Sequence, residues 1–231
     1  MNIAGLVKTS LVEYPGRVAA CVFTQGCDLD CFYCHNRGLI PVSAGTVPEQ
    51  QVTDFLVKRK GLLDGVVITG GEPSVQPDLA GFLLKLKQLG YRVKLDTNGQ
   101  HPDVMQQLAD RQLVDYAAVD YKAPAVRYKE ICGESADAQK VIQTIRILAA
   151  EKIDYQVRTT LVPQLKKEDL LIMAQELPEL PLWVLNAYRI PEIFRQRDAQ
   201  KVYEDRQSPG LVQTIAHELT LYQNNVTLTD A

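Results

Sequence analysis

Short apolar runs alternate with amphipathic ones along most of this chain, and that alternation constrains its fold more than any other feature. Runs rich in Val, Tyr and other strand formers occupy residues 18–23, 65–69, 91–96, 114–121, 155–162 and 182–188. Segments of helical spacing lie between them at 48–60, 77–89, 102–110, 136–150 and 167–176, with a last one at 209–223. The clearest is Phe82-Leu83-Leu84-Lys85-Leu86-Lys87-Gln88-Leu89. Three of them begin near a proline, which suits a helix's first turn. Strict β-α alternation demands crossover connections, and those make a parallel sheet of right-handed units. Six strands fall short of a closed (β/α)8 barrel, which takes about 250 residues. The expected class is therefore α/β: an incomplete (β/α)6 TIM-type barrel with a parallel sheet, a flat doubly wound sheet being the alternative. Residues 1–17 read as a short N-terminal extension with a turn at Tyr14-Pro15-Gly16. Residues 18–190 read as the partial barrel and 191–231 as a C-terminal helical segment, all within one domain, 1–231. Residues 196–209 are polar and read as a loop or short helix. In either architecture a site belongs at the C-terminal strand ends.

Composition removes several classes of function. Lys and Arg number 25 against 28 Asp and Glu, a net charge of −3. That balance speaks against a nucleic-acid binder working through bulk charge. The longest apolar run, residues 18–23, is far short of the roughly 20 residues of a spanning helix, so no membrane segment is expected. Met1-Asn2-Ile3-Ala4-Gly5 lacks the basic and apolar regions of a signal peptide, so a cytoplasmic protein is expected.

Five cysteines are present: Cys21, Cys27, Cys31, Cys34 and Cys132. An odd number with three crowded together is no disulfide framework. Cys27, Cys31 and Cys34 have the spacing Cys-x3-Cys-x2-Cys, directly after the first expected strand. Three thiolates this close suit three corners of one iron–sulfur cube, with the fourth iron left open. The rival is structural zinc, with His35 as the fourth ligand. Cys21 and Cys132 read as packing residues.

With Tyr33 as its aromatic residue, Cys27-x3-Cys31-Phe32-Tyr33-Cys34 resembles the cluster-binding signature of radical S-adenosylmethionine (SAM) enzymes. The resemblance implies a [4Fe–4S] cluster on the three cysteines, SAM chelated by the open iron, and Tyr33 beside the adenine. It also implies an incomplete (β/α)6 barrel. Gly70-Gly71-Glu72-Pro73, at the end of the second expected strand, is similar to the family motif that meets SAM's ammonium group. Taken alone, a Gly-Gly turn more often only reverses the chain.

Asp96-Thr97-Asn98-Gly99 and Asp120-Tyr121-Lys122 end the next two strands. Read alone, Asn-Gly is a turn pair, and the Asp and Lys residues are strand-end charges. Together with the earlier motifs they narrow the resemblance to glycyl-radical-enzyme activating enzymes, a group that includes pyruvate formate-lyase activase. That resemblance implies Asp96, Thr97 and Asp120 as ligands of a monovalent cation, and Lys122 as the partner of SAM's carboxylate. The opening run, residues 5–16, and Arg158-Thr159-Thr160-Leu161-Val162-Pro163 resemble the branch that activates anaerobic ribonucleoside-triphosphate reductase. Arg158 then becomes a contact for SAM's carboxylate or ribose, its plain reading being a strand charge.

The chain departs from the pattern where a late histidine belongs: the sixth expected strand ends Asn186-Ala187-Tyr188-Arg189. Asn186 and Arg189 are the candidates to replace it. The glycine motif usual in the fifth strand is missing, and no second cysteine-rich insertion provides auxiliary clusters. His101 and His217 have no evident partners. The implied activity is reductive cleavage of SAM and removal of a hydrogen from a glycine Cα of a partner glycyl radical enzyme. The implied electron donor is flavodoxin or ferredoxin, with no nucleic acid or membrane involved. A small-molecule radical SAM enzyme, such as 7-carboxy-7-deazaguanine synthase, is the alternative.

Overall fold

The computed structural model describes residues 1–205 and 208–229, with no account of the Pro209 side chain. One eight-stranded sheet runs in the order β1 to β8. β1 (Ile3–Ser10) pairs antiparallel with β2 (Ala19–Thr24). From β2 the sheet is parallel through β3 (Gly65–Gly70), β4 (Arg92–Thr97), β5 (Tyr116–Asp120), β6 (Asp154–Leu161), β7 (Trp183–Ala187) and β8 (Val226–Thr229). Among the described residues β1 and β8 do not pair, so the curved sheet stays open. The main connecting helices are α1 (Glu49–Lys58), α2 (Leu79–Gln88), α3 (Pro102–Asp110), α4 (Tyr128–Cys132), α5 (Ala138–Ala150), α6 (Lys167–Glu176), α7 (Ala199–Val202) and α8 (Pro209–Leu219).

The six expected strands are present, and two more flank them. Residues 3–10, read as part of an extension, form β1. Residues 226–229, read within a helical segment, form β8 beside β7. The helix expected at 136–150 begins at Ala138, where the Asp137 side chain accepts the Gln139 N–H as an N-cap. α4 precedes it as a separate turn. Residues 206–207 and 230–231, which the expected loop and C-terminal segment take in, lie outside the described residues.

Strand alternation divides the sheet's two faces. One face carries Ala20, Val22, Val66, Ile68, Val93, Leu95, Val119, Val157, Trp183 and Leu185, all buried in one core with helix residues such as Leu56, Phe82, Met105, Ile145 and Met173. The concave face is different. Near the strand starts it holds a small apolar plug of Tyr14, Ala19, Cys21 and Val67, with Phe23 and Tyr116 against it. Tyr14 comes from the β1–β2 turn, and its ring lies 5.9 Å from that of Tyr116. Toward the strand ends the face becomes polar, with Thr69, Asp96, Asp120, Arg158, Thr160 and Asn186 around a cavity of about 630 Å3. A parallel sheet that is apolar outside and charged inside at its C-terminal end has been shaped for a ligand rather than for packing.

Candidate active site

The cysteine loop leaves β2 directly and is held from several sides. The Gly26 and Cys27 N–H groups donate to the carbonyls of Leu39 and Ile40 at 2.7 and 3.1 Å. The Asp30 N–H donates to the Cys132 carbonyl at 3.0 Å. Arg37 bonds the Cys31 carbonyl at 3.1 Å and, together with Arg195, pairs with the Asp30 carboxylate. Asp28 accepts from Asn98 Nδ2 at 2.8 Å and lies 3.0 Å from His101 Nε2. Ser135 Oγ donates to the Asp28 carbonyl at 2.8 Å. His101 therefore has a partner that sequence reading did not find, seventy-three positions away.

All three cysteines line the cavity. Burial pushes the Cys27 thiol up to about 12 and raises that of Cys34. Cys31 goes the other way: the neighbouring Cys132 side chain, against the effect of burial, lowers its pKa, with help from Lys122, while the Cys31 Sγ lies 3.9 Å from the Cys132 carbonyl oxygen. Among the described residues, no three His, Cys, Asp or Glu side chains are gathered closely enough to hold a single metal ion. A Cys3His zinc site needs all four ligands within about 2.3 Å of one point. The thiols with exposed His35 are not so gathered. Three all-sulfur ligands on a braced loop fit the separate corners of a cluster instead.

Tyr33 is buried and lines the same cavity, and among the described residues its hydroxyl has no hydrogen-bond partner. Phe32 stands edge-on to it, ring centroids 5.2 Å apart.

The Gly70-Gly71 pair earns its glycines by close approach. Gly70 has φ +109, and a Cβ there would lie 2.5 Å from the Thr24 nitrogen. A Cβ on Gly71 would lie 2.1 Å from the Gly26 carbonyl oxygen. Their neighbours' bonds lock the two loops together: Gly71 N–H donates to Thr24 O at 2.9 Å, and Glu72 N–H to Gly26 O at 2.8 Å. Asn36 Nδ2 in turn donates to Gly70 O at 3.1 Å. The Glu72 carboxylate accepts from Ser74 N–H and hydroxyl, from Thr97 Oγ1 at 2.8 Å and from Asn98 N–H at 2.7 Å. Burial raises its pKa despite these donors. Glu72 thus braces the β3 loop against the β4 loop while forming part of the cavity wall.

Asp96, Asp120, Lys122 and Arg158 converge on the concave face. Strand register explains the pairing: Asp120 and Arg158 are Cα partners on β5 and β6. Arg158 Nε lies 2.9 Å from Asp120 and Nη1 lies 3.1 Å from Asp96. Lys122 Nζ is 3.0 Å from Asp120. Lys94, unnoticed in the sequence, is fully buried two residues before Asp96 and pairs with it. Its signal was available, since alternation puts residues i and i+2 on one face. Burial alone would raise the Asp120 carboxyl, but Arg158 and Lys122 bring it down to about 2. The same Asp120 charge holds the Lys122 ammonium well above its usual value, against burial. Thr97 Oγ1 is occupied from both sides, donating to Glu72 and accepting from the Gly99 N–H at 3.0 Å. Asn186 and Arg189 also reach the cavity, and Glu13 from the β1–β2 turn joins its lining.

The His101–Asp28 pair gives a pH-dependent prediction. Its hydrogen bond to Asp28 raises the His101 pKa above 6.5, so this contribution is whole below that value and fades as pH climbs through the raised one. Burial opposes ionisation of Asp28, but His101 and Asn98 lower its pKa below 3.8, so its share is lost only as acid passes the lowered value. A His101→Phe variant is expected to be less stable than the parent by about 1 kcal/mol at pH 6, with the gap closing toward pH 9. Thermal melts across that range check it; a gap independent of pH rules the pairing out.

A model of the Radical SAM superfamily matches residues 21–177. A protein of Methanocaldococcus jannaschii, provisionally named as a glycyl-radical enzyme activating enzyme, is 32% identical over 201 residues, covering 83% of this chain and 82% of that protein. The 7-carboxy-7-deazaguanine synthase of Neisseria meningitidis serogroup B is 32% identical over 146 residues, 62% of this chain and 63% of that one. Among solved structures, Streptococcus suis SuiB bound to S-adenosylmethionine superposes with a TM-score of 0.65 at 14% identity, covering 90% of this chain. The chain spans about half of SuiB, 49% of its length, and the likeness is one of fold. Among the described residues no helix is long and apolar enough to cross a membrane.

Proposed function

The chain belongs to the radical SAM superfamily, and from that premise we propose that it activates a glycyl radical enzyme, with anaerobic ribonucleoside-triphosphate reductase as the protein substrate. The observation that carries this reading is a single cavity uniting three cluster-type thiols, a buried tyrosine hydroxyl with no partner among the described residues, and a lysine–arginine–aspartate network. Cys27, Cys31 and Cys34 would hold three irons of a [4Fe–4S] cluster. When bound, the cluster supplies one electron for the reductive cleavage of SAM, the chemistry that takes a hydrogen from a glycine Cα. Flavodoxin or ferredoxin is the proposed source of that electron.

The chain's own residues orient and insulate. The unpaired Tyr33 hydroxyl offers a donor to the ligand. The Lys122 ammonium, paired with Asp120 alone among the described residues, has N–H donors to spare for a carboxylate. Leu29, Cys31 and Tyr33 wall the cavity with buried apolar surface and thin its water. The open interval between β1 and β8 supports a macromolecular substrate, because a partner's loop can enter from that side. The relative from M. jannaschii, alike over most of both chains, supports the same reading. The likeness to the Neisseria synthase favours a second one, a small-molecule substrate.

The experiment is anaerobic reconstitution followed by reaction with SAM, a one-electron reductant and the candidate reductase. A glycyl signal in the paramagnetic resonance spectrum of the reductase, formed with 5′-deoxyadenosine, is the expected result. SAM cleavage that leaves the reductase diamagnetic and is coupled instead to a small molecule would replace the proposal with the second reading.

A further inference from the structure

The oxygens that the family resemblance assigns to a monovalent cation are already spoken for. Asp120 Oδ1 faces Arg158 Nε at 2.9 Å, and its Oδ2 faces Lys122 Nζ at 3.0 Å. Asp96 Oδ2 accepts from Arg158 Nη1 at 3.1 Å and from Thr69 Oγ1 at 3.3 Å, while its Oδ1 pairs with Lys94. The Thr97 hydroxyl is committed to Glu72 and Gly99. A sodium or potassium ion needs several oxygens with lone pairs directed at it. Here each carboxylate oxygen meets a charged donor, and the guanidinium bridges both carboxylates. Three cations and two carboxylates give this group a charge of 3 − 2 = +1. A further cation would raise the repulsion in this partly buried group, whereas an anionic ligand lowers it.

We propose that Arg158 is a built-in counter-cation that takes the place between Asp96 and Asp120, so that this chain assembles its site without a bound monovalent metal ion. Arg158 is then a positioning residue, holding the ends of β4 and β5 to β6. The ligand, SAM, rests on the reading above, but the arrangement of charges does not, and it is tested on the protein without SAM.

The probes are thallous ion, followed by 205Tl resonance, and melting temperature in sodium, potassium or tetramethylammonium chloride at equal ionic strength. Wild-type protein is expected to show no saturable thallous binding that sodium or potassium displaces, and to melt at the same temperature in all three salts. Arg158→Gln vacates the position between the two carboxylates. It is expected to gain saturable thallous binding and to melt roughly 5 °C higher in potassium than in tetramethylammonium. Arg158→Lys, which restores a charge, should remain indifferent to the salt. A residue that served only packing would not exchange its role with an ion in this way. Saturable binding by the wild type, abolished in Asp120→Asn, overturns the proposal. So does an Arg158→Gln protein that folds equally well in all three salts without taking up the ion. If Arg158→Gln fails to fold in any salt, the wild-type measurement decides alone.

Discussion

A Cys31→Ala variant, reconstituted anaerobically beside the wild type, is expected to lose its iron and sulfide and to cleave SAM at less than about one-thousandth of the parent rate. The side chain is small and its loop is held by backbone bonds that alanine keeps. Arg37 still finds the residue 31 carbonyl, Cys34 N–H still donates to it at 3.2 Å, and Asp30 remains tied to Cys132. The cost in stability should therefore be modest, about 1–2 kcal/mol for a small buried side chain, and circular dichroism should be unchanged. The loss would be chemical: two thiols are too few to anchor three corners of a cube. Cys132→Ala is the matched control. Cys132 is also buried, but its structural contribution to the loop is its backbone carbonyl, which accepts the Asp30 N–H and faces the Cys31 Sγ. That variant should keep its cluster. A Cys31→Ala protein that retains cluster and native cleavage would show that the ligand assignment is wrong, whatever the family.

What could be read from the sequence divides along a physical line. The cysteine motif was legible because Cys27, Cys31 and Cys34 lie within eight consecutive residues, so its spacing is a local matter. The central strands and helices were legible because residues buried against helices leave a period that the chain itself displays. β1 and β8 were not. β1 contains Gly5 and, before its last residue Ser10, the exposed run Val7, Lys8 and Thr9, so its pairing with β2 leaves little pattern. β8 alternates correctly as Val226-Thr227-Leu228-Thr229 but is only four residues long, and its reason for being a strand is the β7 edge beside it. Edges are completed by tertiary context, which local propensity does not contain.

The site shows the same divide in finer detail. The Asp, Lys and Arg residues were visible individually, but their partners depend on register. That Asp120 stands opposite Arg158 follows from how β5 and β6 align across thirty-eight positions. Asp28, inside the cysteine motif, went unnoticed because its partners Asn98 and His101 come from the β4 loop. Glu72 was read as facing the ligand, and its four bonds to Ser74, Thr97 and Asn98 show the further duty of joining two motifs into one rim. The motifs therefore form a connected frame. Bonds from Glu72 bind the Gly-Gly turn to the Asp-Thr-Asn-Gly turn, and Asn98 continues that frame to the cysteine loop.

Gly71→Ala is expected to damage the site through that frame. The added methyl would sit 2.1 Å from the Gly26 carbonyl oxygen, 2.8 Å from the Gly26 carbonyl carbon and 3.1 Å from the Leu39 carbonyl oxygen. All three are backbone atoms, so no side chain can rotate away and the cysteine loop itself must move. The same movement would strain the Glu72 N–H bond to Gly26 and the Gly26 N–H bond to Leu39, which set where Cys27 begins. Overpacking of this kind costs about 3 kcal/mol or more. For a chain of this length that lowers the melting temperature by roughly 6–12 °C. Cluster content after reconstitution should fall with it, although every cysteine remains. Gly81→Ala is the reference, since a Cβ at that helical position meets nothing within 4 Å among the described residues beyond its own helix, and alanine favours the helix. If Gly71→Ala melts with the wild type and takes up a full cluster, the close packing of β3's loop on the cysteine loop is not what places the ligands, and the glycine pair must be explained by contact with the ligand alone.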